Sequence, residues 1–218
     1  MEIRKRIGSG GFAEVFEGVY DGHPVAIKKM KTSTKTPAAA REAFQAEARV
    51  LGFRHPHLIE VFAVEFEPSP VIIMERVPRA QNLQTVINNG TTYLWRKYAK
   101  QLVDALTYLH VNNVLHLDLK PANVLVSENE QCKLIDFGCS QLRLKPTRSA
   151  CQGTAAYRAP ELFRGHPTTK ADVYSLAITL WSLKYQQVPY DGQHNDMISP
   201  QPRPRIPNDV ACRPRTET

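Results

Sequence analysis

A glycine-rich stretch near the start of the chain limits the possible folds more than any other feature. Three glycines within residues 8–11 follow a predicted strand over residues 3–7. Their Gly-x-Gly-x-x-Ala spacing also fits a dinucleotide-binding turn, but that turn requires a helix directly after the glycines. Residues 14–20 are instead rich in β-forming side chains and end at Asp21-Gly22, a strong hairpin signal. The glycines therefore predict a strand–turn–strand unit whose backbone can close over phosphate groups.

Three more segments extend this unit into a sheet. Residues 25–28, 58–65 and 71–74 are rich in Val, Ile and Phe and read as strands. Together with the first two strands they predict a five-stranded antiparallel sheet. Residues 38–51 are rich in Ala, Glu and Arg, which predicts one helix between the third and fourth strands.

The rest of the chain predicts helices and then an irregular tail. A short helix is expected over residues 82–87, and a longer one over residues 94–109 has an apolar stripe on one face. Residues 172–183 are apolar nearly all round, so that helix should be buried. Five prolines in residues 191–218 exclude a long helix there. The fold class predicted is α+β.

Four polar residues lie in two short segments with apolar flanks. Asp118, Lys120 and Asn123 share one loop, and Asp136 follows in the second segment. One of these residues alone would suggest a solvated loop, but the joint pattern favours a site for a phosphate chain and its metal ions. Asp118 would accept the proton of an incoming hydroxyl, and Lys120 would neutralise charge on the phosphoryl group. Asn123 and Asp136 would hold Mg²⁺, which prefers oxygen ligands.

A lysine and a glutamate are predicted to complete this site. A lone strand lysine is usually exposed, but Lys28 follows the glycine-rich hairpin and is therefore expected to reach the α- and β-phosphates. Glu47, on the core side of the predicted helix, is its expected partner. Glu42 is the alternative. Glu47 is preferred because Leu51, one turn later, is expected to pack inward beside it.

Composition narrows the class of partner. The 218 residues are 42% apolar and 22% charged, as in ordinary globular chains. A formal net charge of +7 raises the possibility of nucleic-acid binding, but the basic residues are scattered. This favours a solvated surface with some preference for acidic partners, and no nucleic-acid partner is expected.

Targeting and cysteine signals favour the cytoplasm. The N-terminus does not resemble a signal peptide, and the longest apolar run, residues 173–183, is too short to span a membrane. We therefore expect no membrane association, and cysteines that are reduced. The four cysteines form no Cys-x-x-Cys pair, which gives a zinc site no support.

Over residues 3–190 these motifs resemble the eukaryotic protein kinase domain. Within that family the sequence is most similar to the Mos serine/threonine kinases. The segments that carry the likeness are Ile7-Gly-Ser-Gly-Gly-Phe12, His116-Leu-Asp-Leu-Lys-Pro-Ala-Asn123, Asp136-Phe-Gly-Cys-Ser140, Arg158-Ala-Pro-Glu161 and Ala177-Ile-Thr-Leu-Trp181.

The resemblance implies a bilobal fold with the following boundaries. Residues 1–75 would form the N-lobe, 76–81 the hinge, 82–190 the C-lobe and 191–218 an irregular Pro/Arg-rich tail. Only 28 residues follow Tyr190, so the C-lobe is expected to be mostly helical but to lack its last helices.

The resemblance also implies the activity. A monomer would use ATP and Mg²⁺ to phosphorylate Ser or Thr of a protein substrate, a MAP kinase kinase in oocyte meiosis. Its catalytic residues would be Asp118, Lys120, Lys28, Glu47 and Thr154, and Thr154 beside Lys120 supports Ser/Thr over Tyr. The residues implied to contact the nucleotide are Ile7, Gly8, Ser9, Gly10, Gly11, Phe12, Ala13, Val15, Ala26, Lys28, Met74, Glu75, Val77 and Leu125.

The sequence departs from the kinase pattern at two motif positions. Ala13 replaces the third glycine, which should stiffen the loop slightly. Leu117 replaces an arginine that would otherwise hold a phosphorylated activation segment, a trait that Mos-like kinases share. Phosphorylation of Thr147 or Ser149 should therefore be unnecessary for activity. The alternative function, suggested by the short C-lobe, is a kinase-fold nucleotide-binding module without turnover.

Overall fold

The structure is a computed structural model. It describes residues 1–11, 13–31, 37–66, 70–90, 94–144, 153–164, 167–192 and 204.

An antiparallel five-stranded sheet forms the first part of the fold. Its strands are β1 Glu2–Ser9, β2 Ala13–Tyr20, β3 His23–Met30, β4 Val61–Glu65 and β5 Val71–Glu75. They lie in the order β1-β2-β3-β5-β4, and every pairing is antiparallel, so the predicted sheet is confirmed.

The fourth strand begins later than residue 58 because that residue has another partner. Leu58 makes an isolated parallel bridge with Leu134. The Ile59 amide donates to the Leu134 carbonyl at 3.0 Å, and the Leu134 amide donates to the His57 carbonyl at 2.9 Å. These bonds connect the residues just before β4 to Leu134, in the second half of the chain.

The helix that packs against the sheet is shorter than its sequence pattern. Helix α1 spans Pro37–Glu47 and continues as a 3₁₀ turn over Ala48–Val50. Because a 3₁₀ turn has about three residues per turn, it rotates the following side chains to a different face. Val50 is buried, whereas Leu51 is 46% exposed. The expectation that Leu51 packs inward is therefore wrong.

The second half of the chain contains three α-helices and five short strands among its described residues. The helices are α2 Leu83–Asn88, α3 Trp95–Val111 and α4 Thr169–Tyr185. The strands are β6 Gln81–Asn82, β7 Val114–Leu115, β8 Val124–Val126, β9 Cys132–Leu134 and β10 Gln141–Leu142. Strands β6, β8 and β9 form one small sheet, and β7 pairs with β10.

One apolar core joins the sheet to the helices. Phe44 of α1, Ile72 of β5, Leu102 and Leu109 of α3 and Leu183 of α4 belong to the same buried cluster. Phe137, the residue after Asp136, is fully buried in that cluster. The core therefore holds both segments that carry the predicted catalytic residues.

Helix α4 buries one broad face. It begins at Thr169, before the predicted start, because Thr168 caps it and accepts a hydrogen bond from the Lys170 amide at 3.2 Å. Its polar residues Asp172 and Ser175 are buried, whereas Val173 is 57% exposed. The predicted burial is therefore confirmed for one face of α4, and Val173 lies on the exposed face. Within the described part of the chain, no helix is long and apolar enough to cross a membrane.

The predicted lobe boundaries remain a prediction. The predicted tail, residues 191–218, lies almost entirely outside the described residues.

Candidate active site

Strand β3 places Lys28 between two carboxylates. Its Nζ atom lies 2.6 Å from Glu47 Oε2 and 3.0 Å from Asp136 Oδ1. The Lys28 side chain is 16% exposed and that of Glu47 only 2%. The structure thus contains the ion pair with Glu47 that the sequence predicted, at the last residue of α1.

Lys28 and the two carboxylates beside it shift one another's pKa values. Burial alone would lower the pKa of Lys28, but the carboxylates of Glu47 and Asp136 outweigh it and raise that pKa. Lys28 in turn lowers the pKa of Asp136 to about 2, against the effect of burial. The pKa of Glu47 is raised by burial, an effect that Lys28 partly offsets. Asp136 is therefore an ionised carboxylate at neutral pH.

The loop that carries Asp118 is fixed by a buried aspartate from α4. Asp172 is fully buried and accepts the backbone amides of His116 at 3.0 Å and Leu117 at 2.8 Å. His110 Nε2 lies 2.8 Å from the same carboxylate. Leu117 has φ of +64°, a conformation that costs energy for a residue with a side chain. The two bonds from Asp172 hold the loop in that conformation.

Three side chains hold the Asp118 carboxylate in place. Lys120 Nζ donates to Oδ2 at 2.9 Å, and the Thr154 hydroxyl donates to Oδ1 at 2.8 Å. Lys120 also donates to the Thr154 hydroxyl oxygen at 2.6 Å. Asn123 Nδ2 donates to Asp118 Oδ2 at 2.9 Å and to the Asp118 carbonyl at 2.8 Å. The structure therefore brings together four residues that are spread over 37 positions of the sequence.

Two oxygen groups at this site suit a hard cation. Asn123 donates both of its hydrogen bonds to Asp118 through its amide nitrogen. Its amide oxygen is therefore the atom that would bind a metal ion. Asp136 is ionised, and 43% of its side chain is exposed. Among the described residues no cluster of three His, Cys, Asp or Glu could hold a metal. The donor set fits Mg²⁺, which usually takes one or two protein oxygens and completes its shell with phosphate and water.

A cavity of about 600 Å³ lies between the sheet and the loop after β5. This volume is within the usual range for small-molecule sites, about 300–1,000 Å³. Lys28, Glu47 and Asp136 lie in its wall. The predicted nucleotide contacts that line it are Ile7, Ser9, Gly10, Gly11, Ala13, Val15, Ala26, Lys28, Met74, Glu75, Val77 and Leu125.

Two predicted contacts are not in that lining. Gly8 is not among the residues that line the cavity. Phe12 lies outside the described residues. The Asp118 cluster lies beside the cavity, since Ala122, next to Asn123, is part of the wall.

Sequence reasoning missed an ion pair in the cavity wall. Arg76, which follows β5, lies 2.6 Å from Glu17 of β2, and both side chains are about one-third exposed. Strand alternation could have identified Glu17, because residues 13, 15 and 17 share one face of β2. Nothing in the local sequence predicts that Arg76 reaches it.

Leu117 packs in an apolar cluster at the position where a kinase usually has arginine. It is 5% exposed and packs with Leu115, Cys139, Ala159 and Ala171.

Cys139 is disulfide-bonded, so the expectation that all cysteines are reduced is wrong for this residue. Cys132 is a free and buried thiol, and burial raises its pKa to about 12.

The antiparallel sheet with its glycine turn, the Lys28–Glu47 pair and the Asp118 cluster are together the architecture of a protein kinase. Residues 1–208 match the family model for the protein kinase domain, and the chain belongs to that family.

Named relatives of this chain are Mos kinases. It is 42% identical to serine/threonine-protein kinase mos of Patiria pectinifera, over 88% of this chain and 59% of the relative. It is 40% identical to serine/threonine-protein kinase mos of Xenopus laevis, over 88% of this chain and 59% of the relative. It is 38% identical to proto-oncogene serine/threonine-protein kinase mos of Sus scrofa, over 90% of this chain and 64% of the relative. The chain thus spans about three fifths of the length of these relatives.

Proposed function

We propose that this chain is a Mos-type serine/threonine protein kinase that transfers the γ-phosphate of ATP to a protein hydroxyl. The observation that carries the proposal is the hydrogen-bonded cluster around Asp118, which lies beside a cavity walled by Lys28 and Asp136. Family membership and the similarity to Mos kinases give further support.

The phosphate end of the site would bind and orient the nucleotide. Bound MgATP would supply the phosphoryl group and a cation that neutralises its charge. Lys28 would bind the phosphates, and Glu47 would keep the Lys28 ammonium in place. The oxygens of Asn123 and Asp136 would hold the metal. The backbone of Gly10 and Gly11 would cover the phosphates.

Asp118 would accept the proton of the substrate hydroxyl. Its carboxylate already accepts hydrogen bonds from Lys120, Asn123 and Thr154, so its orientation does not depend on substrate. Lys120 Nζ lies between Asp118 and the Thr154 hydroxyl, where its charge would stabilise the phosphoryl group in transfer.

A serine or threonine acceptor is favoured over tyrosine. Thr154 Oγ1 lies 2.6 Å from Lys120 Nζ and 2.8 Å from Asp118 Oδ1, and so bridges the two residues. The predicted substrate, a MAP kinase kinase phosphorylated in oocyte meiosis, comes from the resemblance to Mos. A cytoplasmic monomer is proposed on the same basis.

Phosphate transfer by the Asp136→Asn variant tests the proposal. The parent and the variant are incubated with radiolabelled MgATP and a catalytically inactive MAP kinase kinase. Transfer should fall by more than about 100-fold, because the variant loses the charged ligand for the cation. Asp104→Asn makes the same chemical change at an exposed position of α3 and should transfer like the parent.

Two results would contradict the proposal. Equal phosphate transfer by the Asp136→Asn variant and the parent would show that Asp136 is not required for the reaction. Nucleotide binding by a parent that transfers no phosphate would instead identify a binding module without turnover.

A further inference from the structure

Two hydrogen bonds join the end of α1 to the segment after Asp136. The Ser140 hydroxyl donates to the Ala46 carbonyl at 2.9 Å, and Ser140 is 1% exposed. In the opposite direction, Arg49 donates to the Ser140 carbonyl at 2.6 Å. Each segment therefore supplies both a donor and an acceptor to the other.

These bonds lie at the C-terminal end of α1, where the backbone carbonyls lack partners within the helix. The last carbonyls of an α-helix have no partner within the helix, and α1 ends at Glu47. Ala46 lies in this last turn, so Ser140 supplies a donor from outside the helix. Glu47 lies between Ala46 and Arg49 in the chain, and both of its flanks are thus tied to Ser140.

Two further contacts follow the same interface. Against the larger effect of burial, the backbone of Phe137 lies near enough to the Glu47 carboxylate to lower its pKa. Gly138 approaches α1 so closely that an added Cβ would lie 3.3 Å from the Ala43 Cβ. There is therefore a continuous contact between residues 43–49 and residues 137–140. The hydrogen bond from Arg49 to Ser140 lies at its C-terminal end.

We propose that Ser140 is a positioning residue for the Lys28–Glu47 pair. Its bonds to Ala46 and Arg49 hold the end of α1 where Glu47 reaches Lys28. They also couple the position of α1 to the turn that carries Asp136. The consequence for phosphate transfer rests on the proposed function, but the positioning itself does not.

Hydrogen exchange and kinetics of Ser140→Ala test this role in the full chain. Amide exchange in residues 42–50 should become about fivefold faster, the effect expected for the loss of one hydrogen bond. The kcat for phosphate transfer should fall by about the same factor. Arg49→Met removes the second bond from a half-buried side chain and should produce the same two changes. Ser140→Thr keeps the hydroxyl and should restore both values toward the parent.

Ser182→Ala is the matched control. Ser182 is 2% exposed, and its hydroxyl donates to the Ile178 carbonyl of its own helix at 3.1 Å. This variant loses an equally buried hydroxyl and should leave exchange in residues 42–50 unchanged. Parent-like exchange in Ser140→Ala, or equally fast exchange in Ser182→Ala, would overturn the proposal. If the parent itself transfers no phosphate, the proposed function fails, while the exchange result still decides the role of Ser140.

Discussion

At the scale of single residues, the charges of the site are maintained by one another. Lys28 is largely removed from water, yet Glu47 and Asp136 raise its pKa rather than let burial lower it. Lys28 in turn lowers the pKa of Asp136 to about 2, well below that of an ordinary aspartate. The site can therefore present an ionised oxygen ligand and an ammonium group before any nucleotide arrives.

Replacing Glu47 should weaken both activity and stability. Glu47→Gln leaves Lys28 paired with Asp136 alone and puts an amide where a buried carboxylate stood. We expect phosphate transfer to fall at least about tenfold and the free energy of unfolding to fall by about 1–3 kcal/mol.

The control for this change is Glu42→Gln, on the same helix and half-buried. It was the alternative partner left open by the sequence, and it should behave like the parent in transfer and in urea unfolding. A larger loss in Glu42→Gln than in Glu47→Gln would contradict the assignment of the pair.

At the scale of elements, helix α4 supports the loop that carries Asp118. Asp172, in its first turn, is the acceptor for two consecutive loop amides and the partner of His110. Asp172 thus links α4 to α3 and to the loop that carries Asp118.

Asp172→Asn should destabilise the domain. An amide has one oxygen, so one of the two loop amides would face an NH₂ group and remain unsatisfied. We expect the free energy of unfolding in urea to fall by about 3 kcal/mol. Asp104→Asn, exposed on α3, should cost less than about 0.5 kcal/mol. Equal stability of the two variants would show that the three contacts contribute nothing.

Apolar packing and a backbone hydrogen bond hold the segment after Asp136 against the catalytic loop. Leu117 and Cys139 pack in one apolar cluster, and the Thr154 amide donates to Asp118 Oδ1 at 2.8 Å. Gly153 has φ of +72° and lies so close to the Leu117 carbonyl that a side chain would overlap it. An arginine at position 117 is thus not needed to dock this part of the segment.

Activity should therefore not depend on phosphorylation of this segment. Thr147 and Ser149, the two predicted sites, lie outside the described residues. The Thr147→Ala/Ser149→Ala double variant should retain transfer within about tenfold of the parent, both produced in bacteria. A greater fall in a variant that still unfolds cooperatively would show that the segment is switched by phosphate after all.

At the scale of the whole molecule, one core supports both the sheet and the helices, and the cavity opens beside it. Its wall draws on β1, β2, β3 and β5, on α1, and on Asp136 from the second half of the chain. A ligand in this cavity therefore touches parts of the chain that are distant in sequence. Its binding should stabilise the folded molecule as a unit.

MgATP should raise the melting temperature of the full chain. A ligand present at 100 times its Kd stabilises the folded state by about 2.7 kcal/mol. Lys28→Met should lose most of this shift, because it removes the cation that meets the phosphates. A variant of a lysine outside the cavity, Lys100→Met on the exposed side of α3, should keep it. The same shift in Lys28→Met and Lys100→Met would mean that the nucleotide binds elsewhere.

Much of this protein follows from local sequence. The enrichment in β-forming side chains predicted five strands, and the grouping of Asp118, Lys120 and Asn123 in one loop predicted a phosphate site, because both patterns are short-range. The pairing of Lys28 with Glu47 was predicted from the order of elements, although the inward position expected for Leu51 was wrong.

Other features were decided by tertiary packing alone. Arg76 meets Glu17 across 59 positions, and Ser140 meets Ala46 across 94, with no local signal for either contact. The tightening of α1 after Glu47 exposes Leu51, and the packing of α4 leaves Val173 exposed to water. The physical reason is the same in each case. A local pattern specifies which side chains prefer burial, but only the packed elements determine which surfaces and which hydrogen-bonding partners are within reach.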